Sequence, residues 1–211
     1  MEKSLINHVK AMIALARELI HKNSHLVKEV GTVNVKGDKT IQMDALMEKV
    51  LVQYIRDNNI PADIFSEEIG ALKFNGKAEY LIAFDPLDGS LNYKIGKNIY
   101  PYGLLIPVFK GKKPQLKDVI TSGAIEYTHD QAWIYEHGRT TNLNGQAIKL
   151  KNNWTNDKLT PIYVDLFSQT AYQSYFPLVG QLAIRNIGST IGSVFYVLEN
   201  IAAAIGGTNL R

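Results

Sequence analysis

Carboxylate side chains follow an apolar segment of strand length in the first half of the chain. Leu81–Phe84 is that segment, and Asp85 and Asp88 come directly after it, three residues apart. Pro86 removes a backbone donor and Gly89 admits unusual backbone angles. We therefore expect the strand to end before the proline, in a sharp turn that carries two carboxylates and leads into a helix.

A second acidic group lies a short way upstream. Ile64 and Phe65 form an apolar segment, and the acidic pair Glu67–Glu68 follows. The Asp-Pro-x-Asp-Gly turn alone is ordinary turn chemistry. With the second group, two strands end in acids, and clustered carboxylates repel each other unless a cation neutralises them. Hard oxygen ligands beside free backbone N–H groups suit Mg²⁺ and a phosphate ester.

The sequence SEE followed by DPLDGSLNY resembles the signature of a known superfamily. It is that of the inositol monophosphatases and fructose-1,6-bisphosphatases, Mg²⁺-dependent and lithium-sensitive sugar-phosphate phosphatases. The resemblance extends from about the first helix to the last residues of the chain. It implies a phosphoric monoester hydrolase of carbohydrate metabolism that uses two or three Mg²⁺ ions, with Mn²⁺ as the alternative ion. The implied substrates are inositol 1-phosphate, fructose 1,6-bisphosphate or both, and 3′-phosphoadenosine nucleotides are an alternative.

The resemblance also implies roles for the acidic residues. Glu67, Asp85 and the backbone carbonyl of Leu87 would hold one ion, and Asp85 would bridge to a second ion that Asp88 also holds. The roles expected around the phosphate are similarly specific. Gly89 and Ser90 would present N–H groups to the phosphate, and the Ser90 hydroxyl, paired with Asp44, would orient the attacking water. A nucleophilic Ser90 is disfavoured, because no general-base histidine stands in a recognisable relation to it.

Asp44 and Glu48 lie four residues apart in a predicted helix, where an ordinary solvated face would explain them. The family pattern Gly-Asp-x-Thr-x-x-x-Asp-x-x-x-Glu is similar to this segment, which makes Asp44 a predicted site residue and Glu48 a structural one. Lys36 and Asp38 resemble the family's mobile loop over the active site, where they would meet phosphate and metal.

Gly188, Ser189 and Thr190 precede an apolar helical pattern near the end of the chain. N-capping alone explains a serine or threonine at this position. In the family, the matching step contacts the sugar or inositol ring of the substrate, so these three residues are predicted to bind substrate.

Apolar periodicity predicts a layered α+β sandwich: two N-terminal helices on a largely antiparallel sheet, followed by a smaller α/β part. By resemblance this is the sugar-phosphatase fold. We predict that residues 1–150 form the metal- and phosphate-binding part and residues 151–211 the smaller part. In the antiparallel region, Pro107 predicts either an edge strand or a β-bulge.

One feature departs from the family pattern. The family has a further metal-binding aspartate beyond the helix near Gly188, and no acidic motif of this kind follows here. We expect the C-terminal part to be incomplete relative to the family and the second ion to be weakly held. A sugar-phosphate-binding protein without turnover is therefore a further hypothesis.

Composition limits the remaining classes. The 211 residues are 45% hydrophobic and 20% charged, with a formal net charge of +3 and no cysteine. Such a mild charge, scattered along the chain, does not predict nucleic-acid binding. No apolar run has the length of a membrane span. We expect a cytoplasmic protein that forms a homodimer and binds a small phosphorylated substrate.

Overall fold

The computed structural model describes residues 2–35, 37–74, 76–111, 113–151, 154, 160–164, 166 and 169–206. Five α-helices are found there: α1 (Glu2–Lys22), α2 (Gln42–Asp57), α3 (Ser90–Gly96), α4 (Gln169–Tyr175) and α5 (Thr190–Leu198). The strands are β1 (Glu29–Val33), β2 (Lys39–Ile41), β3 (Ala62–Ser66), β4 (Gly70–Leu72), β5 (Tyr80–Asp88), β6 (Gly103–Lys110), β7 (Val119–Glu126), β8 (Gln131–Glu136), β9 (Arg139–Asn142), β10 (Pro161–Val164), β11 (Ala183–Arg185) and β12 (Ala204–Gly206).

A seven-stranded sheet organises the chain, in the order β4-β3-β5-β6-β7-β8-β9. Neighbouring strands of this sheet run antiparallel, except that β3 and β5 run parallel to each other. Strands β1 and β2 form a separate hairpin, and β11-β10-β12 form a small parallel sheet. The predicted α+β class with a largely antiparallel sheet is therefore confirmed.

Helices cover both faces of the large sheet. Alternate residues of a strand point to opposite faces, and β7 shows this at two adjacent positions. Gly123 faces α1, where a Cβ atom would lie 2.4 Å from a methyl carbon of Val9. Ala124 packs on the other side in a cluster with Ile191 and Phe195 of α5. The sheet is thus the middle layer of a three-layer sandwich in this region.

The two prolines of the sheet behave differently from expectation. The expectation that the ladder ends before Pro86 is wrong, because β5 continues to Asp88. Between the pairs Asp85↔Leu105 and Asp88↔Gly103, β5 advances by three residues while β6 advances by two. The extra residue of β5 forms a local β-bulge in the segment that contains Pro86. Pro107 is not in an edge strand, since β6 lies between β5 and β7, but a register irregularity follows it at Val108/Phe109.

The division at residue 150 stays a prediction. Helix α5 lies in the predicted C-terminal part, yet it packs against β6 and β7 of the large sheet. Among the described residues, no helix combines the length and the apolar character needed to cross a bilayer.

Candidate metal and phosphate site

The parallel pair β3–β5 brings the acidic segments together. Ser66 at the end of β3 is in register with Phe84, and the N–H of Glu67 donates to the carbonyl of Phe84 at 3.2 Å. Each strand is followed or ended by an acid at this edge of the sheet. The carboxyl groups of Glu67 and Asp85 are close enough to share a hydrogen bond when one of them is protonated.

Asp85 is held in place by its own turn. Its Oδ1 accepts a hydrogen bond from the N–H of Leu87 at 3.0 Å. Burial raises the pKa of the Asp85 carboxyl well above its ordinary value, and the neighbouring charges of Asp88 and Glu67 raise it further. Leu87 therefore contributes an N–H to the site, and the role of its carbonyl as an ion ligand stays a prediction.

Asp88 joins the acidic strand end to the N-terminus of α5. Its Oδ2 accepts hydrogen bonds from the Ser189 hydroxyl at 2.6 Å and from the N–H of Ile191 at 2.8 Å. Burial raises the pKa of Asp88, while these bonds, together with one from the N–H of Thr190, lower it. One carboxylate oxygen of Asp88, a predicted metal ligand, therefore already accepts hydrogen bonds from the N-terminus of α5.

Ser189 has two roles at this junction. It is the N-cap residue of α5, and its Oγ accepts a hydrogen bond from the N–H of Gly192 at 3.0 Å. The hydroxyl also donates to Asp88, so N-capping alone does not account for it. Gly89 packs directly beneath: its φ is +79°, and a Cβ there would lie 3.0 Å from the Cβ of Ser189. The predicted phosphate and substrate segments therefore touch.

Gly89 is also the N-cap of α3, and Ser90 is the first helical residue. Gly188 and Thr190 flank Ser189, with Thr190 exposed. These positions put the predicted phosphate and substrate residues beside the acidic strand ends. Their contacts with a ligand stay predictions.

Asp44 and Glu48 are buried, so the interpretation of a solvated helix face is wrong. Asp44 accepts a hydrogen bond from the N–H of Ile41 at 2.9 Å at the start of α2. Burial raises the pKa of Asp44 to about 7, the bond from Ile41 opposes the rise, and the charges of Glu68 and Glu67 add to it. Asp44 thus faces the acidic pair. Among the described residues, no hydrogen bond joins Asp44 to Ser90, and their pairing stays a prediction.

The β1–β2 hairpin closes the site on one side. Lys36 lies outside the described residues, and Asp38 is exposed. Nearby, Asn34 donates from Nδ2 to Oε1 of Glu67 at 3.0 Å, and Thr40 donates to the Glu68 carboxylate. Sequence reasoning missed Asn34, because a polar residue in a polar hairpin gives no sign that its side chain is buried.

A family model described as the N-terminal domain of fructose-1,6-bisphosphatase matches residues 3–131, which is more than half of the chain. The chain belongs to the fructose-1,6-bisphosphatase family. The matched segment contains Glu67, Asp85 and Asp88, and it ends before Ser189.

Relatives of the fructose-1,6-bisphosphatase family agree with this assignment. A fructose-1,6-bisphosphatase/inositol-1-monophosphatase of Thermococcus kodakarensis is 32% identical over 124 residues, which are 58% of this chain and 43% of the relative. The match thus spans less than half the length of that relative.

Solved structures show the same fold at low identity. The extragenic suppressor protein suhB of Bartonella henselae has a TM-score of 0.81 and 14% identity, covering 99% of this chain and 80% of the other. An IMPase/NADP phosphatase complexed with Mg²⁺ and phosphate has a TM-score of 0.74 and 15% identity, covering 100% and 77%.

The donors of the site suit the ions of this phosphatase family by their chemistry. Glu67, Asp85 and Asp88 offer only oxygen atoms, which Mg²⁺ prefers, and their mutual repulsion is what a cation relieves. In the described part of the chain, no group of three or more histidine, cysteine, aspartate or glutamate side chains is arranged so that it could hold a metal ion. The fit of Glu67, Asp85 and Asp88 to the ion rests on their oxygen donors and on their mutual repulsion.

Proposed function

We propose that this chain hydrolyses a phosphate monoester of inositol or of a sugar, with Mg²⁺ as its cofactor. The observation that carries the proposal is the meeting of Glu67, Asp85 and Asp88 at adjacent strand ends, beside the start of α5. Family membership supports the reaction class. Inositol 1-phosphate and fructose 1,6-bisphosphate are the proposed substrates, following the activities in the name of the Thermococcus relative.

When bound, the two or three proposed ions would polarise the phosphoryl oxygens and activate water for in-line attack. The protein's own residues would do the positioning. The Asp85 carboxylate, which the N–H of Leu87 holds in place, would be one of the ion ligands. The N–H groups of Gly89 and Ser90 would bind phosphate oxygens, and the Ser90 hydroxyl with Asp44 would orient the water.

The sugar or inositol ring would lie over the start of α5. The bonds from Ser189 and Ile191 to Asp88 support this placement, because they fix the α5 N-terminus against the acidic cluster. Lys36 and Asp38 of the hairpin are proposed to meet phosphate and a further ion.

The test is phosphate release from inositol 1-phosphate and fructose 1,6-bisphosphate during a Mg²⁺ titration, with and without lithium. We expect release that needs Mg²⁺ and falls with lithium. Asp85→Asn should abolish it, since the variant loses one of the three carboxylates that would hold the ions. Asp118→Asn is the control, because Asp118 precedes β7 at the opposite end of the sheet. Full Mg²⁺-dependent turnover by Asp85→Asn would refute the site.

A sugar-phosphate-binding protein without turnover is the second candidate. The occupied Oδ2 of Asp88 favours it, because an oxygen that already accepts two hydrogen bonds is a poorer ligand for a second ion. Phosphate binding by calorimetry, with no release from either ester or from a 3′-phosphoadenosine nucleotide, would support this reading.

A homodimer is also proposed. Leu91, Ile95 and Ile99 lie four residues apart along and just beyond α3 and are 61%, 63% and 74% exposed. Exposed apolar side chains that share a face are typical of interaction surfaces. Sedimentation equilibrium tests the dimer, and Ile95→Lys should dissociate it.

A further inference from the structure

Asn34 is a buried polar residue at the turn of the β1–β2 hairpin, between exposed neighbours. It is 8% exposed, whereas its neighbours Val33 and Val35 are 62% and 56% exposed. Buried polar side chains are almost always hydrogen-bonded, so the partners of Asn34 indicate why it is buried.

The turn fixes which way the amide of Asn34 points. Its Oδ1 accepts from the N–H of Asp38 at 2.9 Å, and its N–H donates to the carbonyl of Asp38 at 2.8 Å. With the amide oxygen used inside the turn, the NH₂ group must face outward. It points at Oε1 of Glu67, 3.0 Å away.

The same turn occurs a second time in the chain without this outward contact. Asn142 Oδ1 accepts from the N–H of Gln146 at 3.0 Å, and the Asn142 N–H donates to the Gln146 carbonyl at 2.9 Å. Gly37 and Gly145 each donate to the carbonyl of the asparagine and have φ of +95° and +80°. Here, however, Nδ2 of Asn142 donates to Gln146 within its own turn. The turn itself therefore does not require the bond to Glu67.

Glu67 is consequently held at three points. Its N–H donates to Phe84 of β5, its carbonyl accepts from the N–H of Val35 at 3.0 Å, and its carboxylate accepts from Asn34. An amide donor orients a carboxylate without adding a positive charge, so it does not repel a cation as a lysine would.

We propose that Asn34 is a positioning residue that orients the Glu67 carboxylate for a divalent cation. The inference deepens the proposed function, on which it rests for its catalytic meaning. Metal binding can be measured without turnover, so the two can fail separately. Partners of metal ligands typically contribute about 10–100-fold in metal affinity.

The first experiment is a calorimetric Mg²⁺ titration of Asn34→Ser and Asn142→Ser. Serine can still accept from the turn N–H but is too short to reach Glu67. We expect Asn34→Ser to bind Mg²⁺ about 10-fold more weakly and Asn142→Ser to match the unmodified protein. Equal affinity in all three proteins, equal losses in the two variants, or no Mg²⁺ binding by the unmodified protein would each overturn the proposal.

A second measurement needs no Asn34 variant and decides the matter even if that variant does not fold. The side-chain ¹H–¹⁵N signals of Asn34 should shift as Mg²⁺ is added, while those of Asn142 stay in place. In the Glu67→Gln variant, adding Mg²⁺ should no longer shift the side-chain signals of Asn34. An Asn34 signal that does not respond to Mg²⁺ would overturn the proposal. Mg²⁺ binding with the expected Asn34 response, but no phosphate release, would reject only the proposed reaction.

Discussion

At the scale of single residues, Glu48 is a carboxyl group that the fold buries. It is 4% exposed, and its Oε2 accepts a hydrogen bond from the Ser66 hydroxyl at 2.5 Å. Its Oε1 is buried without a hydrogen-bond partner among the described residues. Burial raises the pKa of Glu48, and the bond from Ser66 only partly opposes this rise.

The raised pKa makes stability depend on pH in a defined direction. The folded protein holds the Glu48 proton more tightly than the unfolded chain does, so the Glu48 contribution to the free energy of unfolding falls as pH rises. The fall begins near the ordinary pKa of 4.5 and continues through the raised value. Glu48→Gln removes this titration and keeps an acceptor for Ser66. We expect the free energy of unfolding to fall less between pH 5 and pH 8 in the variant than in the unmodified protein.

Urea unfolding without Mg²⁺ at the two pH values measures this difference. The other buried acids titrate in both proteins, so comparing the two pH dependences isolates Glu48. Glu18→Gln is the control, because Glu18 is an exposed residue paired with Lys22. The same pH dependence in Glu48→Gln and in the unmodified protein would contradict the assignment.

At the scale of elements, α3 and the segment before α5 are joined by one side chain. Both N–H bonds of the Asn92 amide reach backbone carbonyls, at Pro101 (2.8 Å) and Ile187 (2.7 Å). Asn92 is 7% exposed, and Gly188 packs against its amide, where a Cβ would lie 3.3 Å from Oδ1. This contact holds the predicted substrate segment in place.

Asn92→Asp has nearly the same shape but loses the amide donor and sets a carboxylate against two carbonyls. Leaving buried acceptors unsatisfied costs about 1–3 kcal/mol. We therefore expect the free energy of unfolding to fall by about 2 kcal/mol in urea. Asn58→Asp, which removes an exposed bond to the Tyr54 carbonyl, should change it by less than about 0.5 kcal/mol. Equal losses in the two variants would show that Asn92 does not join these elements.

The sequence predicted several of the elements, although not the continuation of β5 through Pro86, and it did not predict their long-range contacts. The two N-terminal helices, the largely antiparallel sheet and the helix after Ser189 follow from apolar periodicity, and Glu67, Asp85 and Asp88 are the acids that the sequence predicts to hold ions together. The hydrogen bonds from Ser189 and Ile191 to Asp88 span about a hundred residues of sequence, and no local pattern pairs such positions. The burial of Glu48 was also hidden, because helical spacing alone does not show that α2 is covered on more than its apolar face.

At the scale of the whole molecule, the sheet is packed from both sides, and its small residues set how closely the helices approach. At Gly123, a Cβ would lie 2.4 Å from Cγ1 of Val9 and 3.1 Å from Cγ1 of Ile13. Both distances are shorter than ordinary contact, so α1 rests directly on the β7 backbone. At Gly103, a Cβ would lie 2.1 Å from the carbonyl oxygen of Ile125 and 2.6 Å from a methyl carbon of Ile191. Helix α5 therefore approaches the opposite face just as closely.

Gly123→Ala tests the packing of α1 without touching the acidic site. The added methyl group must displace Val9 or move α1 away from β7, and overpacking of this kind costs about 1–3 kcal/mol. We expect urea unfolding to show that loss, with an unchanged Mg²⁺ titration. Ser122→Ala changes the adjacent position, whose side chain points to the other face, and should alter the free energy of unfolding by less than about 0.5 kcal/mol. A Gly123→Ala protein as stable as Ser122→Ala would mean that α1 does not rest on this strand, and the layered arrangement would need revision.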